Sequence, residues 1–343
     1  IGYDWLYKDL AGEARDQIKH AIIEKGIRPS LESKNTGFLK VKNNWNQVCN
    51  AGIAYGAIAI MEDEPLLAST IINRAIKSIQ LPMEDYAPDG AYPEGYNYWG
   101  YGTSFNVLFI NALEQIAGTD FNLSNQKGFM ATADYYLHMS GPTGQPFNYS
   151  DATASKELEP AMFWFANKRK DPSLLLAEQN AIRKTNTKGL IDNRLLPALL
   201  IWSIGKTNKD ATPATLNWIG GGKTPVSLMR SSWTDPGAVF IGIKGGSADA
   251  SHAHMDIGSF VMESDGVRWA IDPGMQEYES LESKGLNIFK GGVDSDRWKV
   301  YRNTNYIHNT LTVDSQLQQL KGKAEIISSS VKQVFPFAVI DLK

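Results

Sequence analysis

The 343-residue sequence has one cysteine, no long apolar run and little net charge. Cys49 has no second thiol to pair with, which excludes an internal disulfide. Its place in an apolar helical stretch reads as a small buried hydrophobe. No segment approaches the roughly 18 consecutive apolar residues of a membrane-spanning helix. A net charge of -3 and a pI near 6.0 give no general attraction to nucleic acid or to an anionic membrane. Any acidic ligand must therefore be held by local arginine and lysine. There is no internal repeat and no low-complexity tract. The chain opens at Ile1 without an initiator methionine or a signal-like segment and ends at Ile340-Asp341-Leu342-Lys343 within a strand-like run. Both ends are expected to be those of a trimmed or processed product.

What is present is 43% hydrophobic residues, enough for sizeable cores in two ordinary domains. The first two-thirds reads as helices. In Asp4 to Lys25 apolar residues recur at helical spacing and Gly26 follows as a stop. Similar stretches run at Trp45 to Met61, Pro65 to Gln80, Ser104 to Ala117, Asn125 to Tyr136, Ala154 to Asn167, Pro172 to Arg183 and Leu195 to Ile204. Near Thr212 the pattern changes, with Pro213, Gly220-Gly221-Gly222 and Pro225 in quick succession. Beyond it, short β-branched or aromatic segments separated by Gly, Asp and Ser predict antiparallel strands. They are Val226 to Arg230, Ala238 to Lys244, Ser259 to Glu263, Val267 to Ile271, Thr310 to Val313, Ala324 to Ser329 and Phe337 to Leu342. The expected organisation is a helical domain over residues 1–212 and a β-sandwich domain over 213–343.

Three of the five histidines fall in the strand-rich part, in Ser251-His252-Ala253-His254-Met255-Asp256 and Tyr306-Ile307-His308-Asn309-Thr310. A hairpin through Asp265-Gly266 would return Asp272 toward His254. Imidazoles and a carboxylate are suitable zinc ligands. Satisfied buried histidines with a turn-capping aspartate are the structural alternative. Asp256 reads either as a partner orienting a ligand imidazole or as a local turn cap.

The segment from Pro88 to Gly102 concentrates Tyr92, Tyr96, Tyr98, Trp99 and Tyr101 in a loop rich in glycine and proline. Such rings can form a platform for the apolar face of a sugar, or a structural plug. A tyrosine can also exchange protons if nearby cations lower its pKa. Asn43-Asn44-Trp45-Asn46 precedes an apolar helix, where an asparagine caps the helix or donates to a substrate carboxylate.

Taken together, Asn43-Asn44-Trp45, the Asp89 to Tyr101 loop, Ser251 to Phe260, Ile271-Asp272-Pro273-Gly274 and His308-Asn309-Thr310 resemble the heparinase II/III superfamily of polysaccharide lyases. The resemblance implies an α+β multidomain chain, an incomplete α/α toroid followed by an antiparallel β-sandwich with the cleft between them. It implies a structural Zn2+ held by His254, Asp272 and His308. It implies Tyr98, His252 and Asn44 as catalytic residues, with Tyr101 and Tyr96 as less well matched tyrosines. Tyr96, Trp99, Tyr101, Trp45, Glu94, Arg297 and Arg302 are the expected substrate-binding residues. A solvated basic patch is the alternative for Arg297, Lys299 and Arg302. Where several relatives have Asn followed by His, this chain has Trp45 after Asn44, as heparinase III-like members do.

The implied reaction is β-elimination from a uronate in a heparan-type or alginate-type glycan. The competing readings are a uronyl C5-epimerase and a non-catalytic glycan-binding protein of the same fold. The partner is an acidic polysaccharide or oligosaccharide, and the expected location is the periplasm or outside the cell.

Overall fold

The computed structural model describes residues 1–184, 186–203, 211–332 and 334–342. It divides into two compact units, Ile1–Glu84 with Tyr101–Gln126, and Asp85–Gly100 with Lys127–Lys343. The change from helix to strand expected at 212/213 falls inside the second unit. That change concerns the type of element, whereas the units are defined by compactness.

In the first unit the helix Asn44–Ile58 starts where an asparagine can cap it. Asn43 is extended, and its side-chain oxygen accepts from the Trp45 N–H at 3.2 Å, which satisfies a donor the helix start leaves open. Asn46, Asn50, Ala54 and Ala57 lie on its buried face. Buried amides need partners, and these find one hydroxyl: Asn46 and Asn50 donate to Ser78 Oγ at 3.1 and 2.9 Å. Ser78 ends the helix Pro65–Ser78, so the two helices are joined by polar as well as apolar contact. Ile27, Ala57, Ile60, Ala68 and Ile71 form the apolar core beside them. Cys49 is half-buried, and burial raises its thiol, in keeping with a structural side chain. The single helix expected from Asp4 to Lys25 is instead Gly2–Trp5, Gly12–Ala21 and a wide turn Ile22–Ile27. The interruption comes at Ala11, whose backbone is extended.

In the second unit the helices Thr132–His138, Ala161–Arg169, Leu176–Lys184 and Leu196–Ser203 correspond to expected stretches, with the first two starting seven residues late. Ile204, the expected last residue of the fourth, lies outside the described residues. The helix Tyr96–Ala117 starts in this unit, eight residues before the expected Ser104. Gly100 looks like a helix breaker, but a Cβ there would sit 2.7 Å from Glu159 Oε2. Close packing, not a turn, requires that glycine.

The sheet is an antiparallel meander in the order β1 (Trp218–Gly220), β2 (Val226–Arg230), β3 (Phe240–Lys244), β4 (Phe260–Ser264) and β5 (Val267–Ala270). In β3 the burial alternates along the strand, as a pleated strand with one covered face requires. The β4–β5 hairpin turns at Asp265-Gly266, both with positive φ of 54° and 74°, the conformation that favours an Asp-Gly pair in a two-residue loop. Strands β6 (Ala324–Ser330) and β7 (Phe337–Leu342) pair separately, and a Gly246–Ala324 bridge links β6 to the segment after β3. Thr310 to Val313 is not a strand. Side chains hold that segment instead: Thr310 Oγ1 donates to Ile257 O at 2.6 Å, and Asn309 Nδ2 donates to Phe260 O and Ile271 O.

Candidate functional site

Asp151 is the centre of a buried polar cluster in the second unit. Its Oδ1 accepts from Arg297 Nη2 at 2.8 Å and from His254 Nε2 at 2.9 Å. Its Oδ2 accepts from Tyr278 Oη at 2.8 Å and lies 3.1 Å from His252 Nδ1. The local backbone is strained where these groups meet. Ser150 and His252 have positive φ of 62° and 60°, and the Asp151 N–H donates to His252 O at 3.1 Å. Strain of this kind persists when surrounding contacts enforce it, and it concentrates at functional sites. Burial alone would raise the Asp151 carboxyl. Hydrogen bonds from His252 and His254 and the Arg297 charge outweigh burial and hold it well below the usual carboxylate range.

Tyr98 lies face to face on His252, with ring centroids 3.7 Å apart and planes 16° apart. Its hydroxyl is 2.8 Å from the Tyr278 hydroxyl. Tyr278 spends its one hydrogen on Asp151, so Tyr98 donates to Tyr278. Burial, with the Asp151 and Glu94 charges, pushes the Tyr98 phenol up to about 12, against the Tyr278 hydrogen bond and Arg297. Tyr98 is therefore a neutral phenol at neutral pH. The contact of His252 Nδ1 with Asp151 Oδ2 turns Nε2 away from that carboxylate. Glu94 Oε2 stands 3.6 Å from His252 Nε2. One face of this cluster thus sets an imidazole against a neutral phenol.

A second cluster faces inward nearby. His308 Nε2 lies 3.0 Å from Arg302 O; a carbonyl only accepts, so Nε2 carries a proton. Its Nδ1 points at Asp272 Oδ2 across 3.4 Å. Burial lowers this imidazole, but the hydrogen bond to Asp272 and the Asp256 and Asp272 charges outweigh burial and raise it. Ligand atoms of Asp256, Asp272 and His308 all fall within 4.8 Å of one another. Asp256 Oδ1 is held by Lys244 Nζ at 2.5 Å, while Asp256 Oδ2 and His254 Nδ1 are buried without a hydrogen-bond partner among the described residues. Two carboxylates and an imidazole converging in one buried place are groups that a bound cation could tie together. The donor set of imidazole and carboxylate fits zinc. The structure brings the expected Asp272 and His308 together with Asp256 and leaves His254 out of that group of three. His254 is nonetheless oriented as a ligand would be, its Nε2 on Asp151 and its Nδ1 free, with its ring centroid 5.4 Å from that of His308.

The other expected site residues separate by burial. Tyr96 and Trp99 are 1% and 0% exposed. Both stack on Tyr136, Tyr96 at 4.4 Å and Trp99 at 4.1 Å, and Lys156 donates to the Tyr96 hydroxyl. Their faces are occupied by protein, so they are core, not a sugar platform. Glu94 is buried and accepts from the Tyr92 hydroxyl at 3.2 Å. Arg297 is buried and bonds Asp151 and the carbonyls of His252 and Ala253. It is an internal counter-charge, neither a surface patch nor a substrate cation. Arg302 donates to Pro273 O and Met275 O. Of the three basic residues only Lys299 is solvated, paired with Asp296 at 2.6 Å. In the first unit, Asn44 is buried behind the capping Asn43, while Trp45 is 63% exposed and Tyr101 38% exposed.

Asp151 and Tyr278 were not read from the sequence. Neither sits in a periodic or clustered pattern. Asp151 is 101 residues from His252, and its one local signal is the polar Asn148-Tyr149-Ser150-Asp151 run after a helix.

Residues 229–331 match the family model of the heparinase II/III-like C-terminal domain. The recognition of that family from the motifs is thereby borne out. The chain is 23% identical to an alginate lyase of Stenotrophomonas maltophilia (strain K279a) over 335 residues, 92% of this chain and 42% of that protein. It superposes on the crystal structure of Heparinase III with a TM-score of 0.67 at 12% identity, covering 97% of this chain and 48% of that one. Against the heparan sulfate lyase HepC from Pedobacter heparinus the TM-score is 0.56 at 14% identity, covering 93% and 42%. At these identities the likeness is one of fold: mixed helix and sheet with a five-stranded antiparallel sheet. The chain spans less than half the length of these relatives.

Proposed function

We propose that this chain is a polysaccharide lyase that cleaves a uronic-acid-containing glycan, of heparan sulfate or alginate type, by β-elimination. The observation that carries the reading is Tyr98 stacked on His252, with its hydroxyl joined through Tyr278 to the buried Asp151 carboxylate. In the elimination a base removes the proton on C5 of the uronate. The electron pair forms the C4=C5 double bond, the C4–O bond breaks, and an acid protonates the departing oxygen. His252 Nε2, with Nδ1 fixed on Asp151, is suited to take the C5 proton. Tyr98, neutral at neutral pH, is suited to give one to the leaving oxygen. For Asn44 the proposal is that of its chemistry and motif: an amide that donates to the uronate carboxylate as charge develops there, a contribution of roughly 3 kcal/mol for one well-placed donor.

The same reading includes a helical toroid followed by a β-sandwich, supported by the likeness to the Heparinase III fold. Zn2+ would be held by Asp272 and His308 together with Asp256 or His254. Its chemistry when bound would be to offset the buried carboxylate charge, which ties the segments carrying His254, Asp272 and His308 to one point. On this reading the protein would act in the periplasm or outside the cell, where a polymeric substrate is met. Mass analysis of digests tests the reaction class: elimination leaves an unsaturated end lighter by one water than the hydrolysis product. Saturated fragments from a digest would replace the lyase with a hydrolase.

A further inference from the structure

The second unit holds a cavity of about 400 Å³ that shares no lining residue with the Tyr98 and His252 site. Its size falls within the roughly 300–1,000 Å³ of small-molecule sites. The turn around Gly141, the helix Leu176–Lys184 and the end of β2 supply its walls. Lys156, Lys184 and Arg230 line it, and no aspartate or glutamate does.

Lys156 is already neutralised, with Nζ 2.5 Å from Glu178 Oε1 and 3.1 Å from the Tyr96 hydroxyl. Arg230 is not. It is 6% exposed, its Nη2 donates to His138 O and Ser140 O at 3.0 and 2.8 Å, and its guanidinium lies 3.5 Å over the Trp233 ring. Its Nε has no partner among the described residues, and no carboxylate there forms an ion pair with it. Burial pulls this guanidinium down to about 9, opposed by the charge of Glu263. Glu263 itself is held by Arg268 and by the Thr143 N–H. A buried cation without a counter-ion is costly, and an entering anion removes that cost. Ser140 Oγ, also buried on this wall, has no partner among the described residues. Lys184 is exposed and reaches toward Gly144, its Nζ 4.0 Å from where a Cβ would stand.

We propose that this cavity binds a small molecule bearing an oxyanion, a carboxylate, sulfate or phosphate. Arg230 and Lys184 supply the counter-charges and Ser140 a hydrogen bond. Trp233 beneath the guanidinium holds the plane of Arg230, which favours two-pronged recognition of such a group. The site is independent of the lyase reading, because none of its residues takes part in the proton transfers.

Isothermal titration of the whole chain with sodium glucuronate, inorganic sulfate and inorganic phosphate, at ionic strength fixed with chloride, tests it. One saturating site is expected for at least one probe. Lys184→Ala weakens it about threefold, and Arg230→Leu weakens it about tenfold or more. Should Arg230→Leu fail to fold, Ser140→Ala joins Lys184→Ala as the reporter, since both are small changes at the cavity wall. His252→Ala leaves the binding unchanged, which separates this site from the Tyr98 cluster. Sulfate or phosphate binding as tightly as glucuronate assigns recognition to the oxyanion alone, and glucuronate alone assigns it to a sugar acid. Absence of saturable binding for all three probes, or binding indifferent to Lys184→Ala and Ser140→Ala, overturns the proposal.

Discussion

Replacing Asp151 by asparagine keeps the shape of the side chain and removes its charge. In the native cluster four donors converge on the two oxygens: Arg297 and His254 on Oδ1, Tyr278 and His252 on Oδ2. An asparagine can accept on one oxygen only, so its NH2 must face donors on the other side. Arg297, with 10% of its side chain exposed, is left as a buried cation without its carboxylate. Removing one partner of a buried pair in this way costs roughly 3–5 kcal/mol. At roughly 2 °C per kcal/mol for a large domain, the melting temperature falls by about 6–10 °C. Differential scanning calorimetry of Asp151→Asn beside Arg297→Met isolates the cause. The double variant should recover part of the loss, because it buries neither the unpaired cation nor the misplaced amide against it. A drop of less than about 2 °C in Asp151→Asn, with no recovery in the double variant, would refute the claim that this carboxylate anchors the cluster.

Tyr278→Phe removes the hydroxyl between Tyr98 and Asp151 while leaving the ring. Stability should change by only about 1 kcal/mol, whereas kcat falls about tenfold or more with KM unchanged; an unaltered kcat would leave Tyr278 a packing residue. Chelator treatment should lower the melting temperature, and added Zn2+ should restore it. Elemental analysis of His308→Ala is expected to show loss of the metal. If the untreated protein carries no metal and ignores the chelator, Asp256, Asp272 and His308 are held by their own ion pairs instead. In the first unit, burial pushes the Tyr55 phenol up to about 12 from 10.0. Its folded-state pKa is raised, so the stabilisation is complete below pH 10 and is lost as pH rises toward 12, at most about 2–3 kcal/mol. Tyr55→Phe should flatten the alkaline limb of the stability profile between those values, and an unchanged limb would show that Tyr55 stays reachable by solvent.

The sequence was most legible where one local rule acts alone. Val226–Arg230 and Phe337–Leu342 form as expected, each a short apolar-rich run entered from a proline, Pro225 and Pro336. Asp265-Gly266 turns because the pair tolerates positive φ. Legibility failed where tertiary packing overrides local appearance. Gly100 reads as a breaker but sits within a helix against Glu159, and the aromatic run around it reads as a loop although Tyr96 and Trp99 are core. Thr310 to Val313 has strand composition, yet side-chain bonds to distant carbonyls claim the segment. At the site, His252, Asp272 and His308 stand in recognisable motifs. Asp151 and Tyr278 do not, because their roles arise only when the fold brings positions more than a hundred residues apart to one carboxylate. Arg297 was visible as a cation, but its burial was not, and burial changes it from a substrate contact into an internal counter-charge.

Tyr98 and His252 are proposed to act together on a uronate. Ultraviolet absorbance during incubation with heparan sulfate, heparin and alginate tests it most directly, because elimination creates a conjugated unsaturated acid. A steady rise is expected on at least one polymer with the unaltered chain, and its loss in both Tyr98→Phe and His252→Ala variants that still melt cooperatively. A rise that survives in both variants would contradict it.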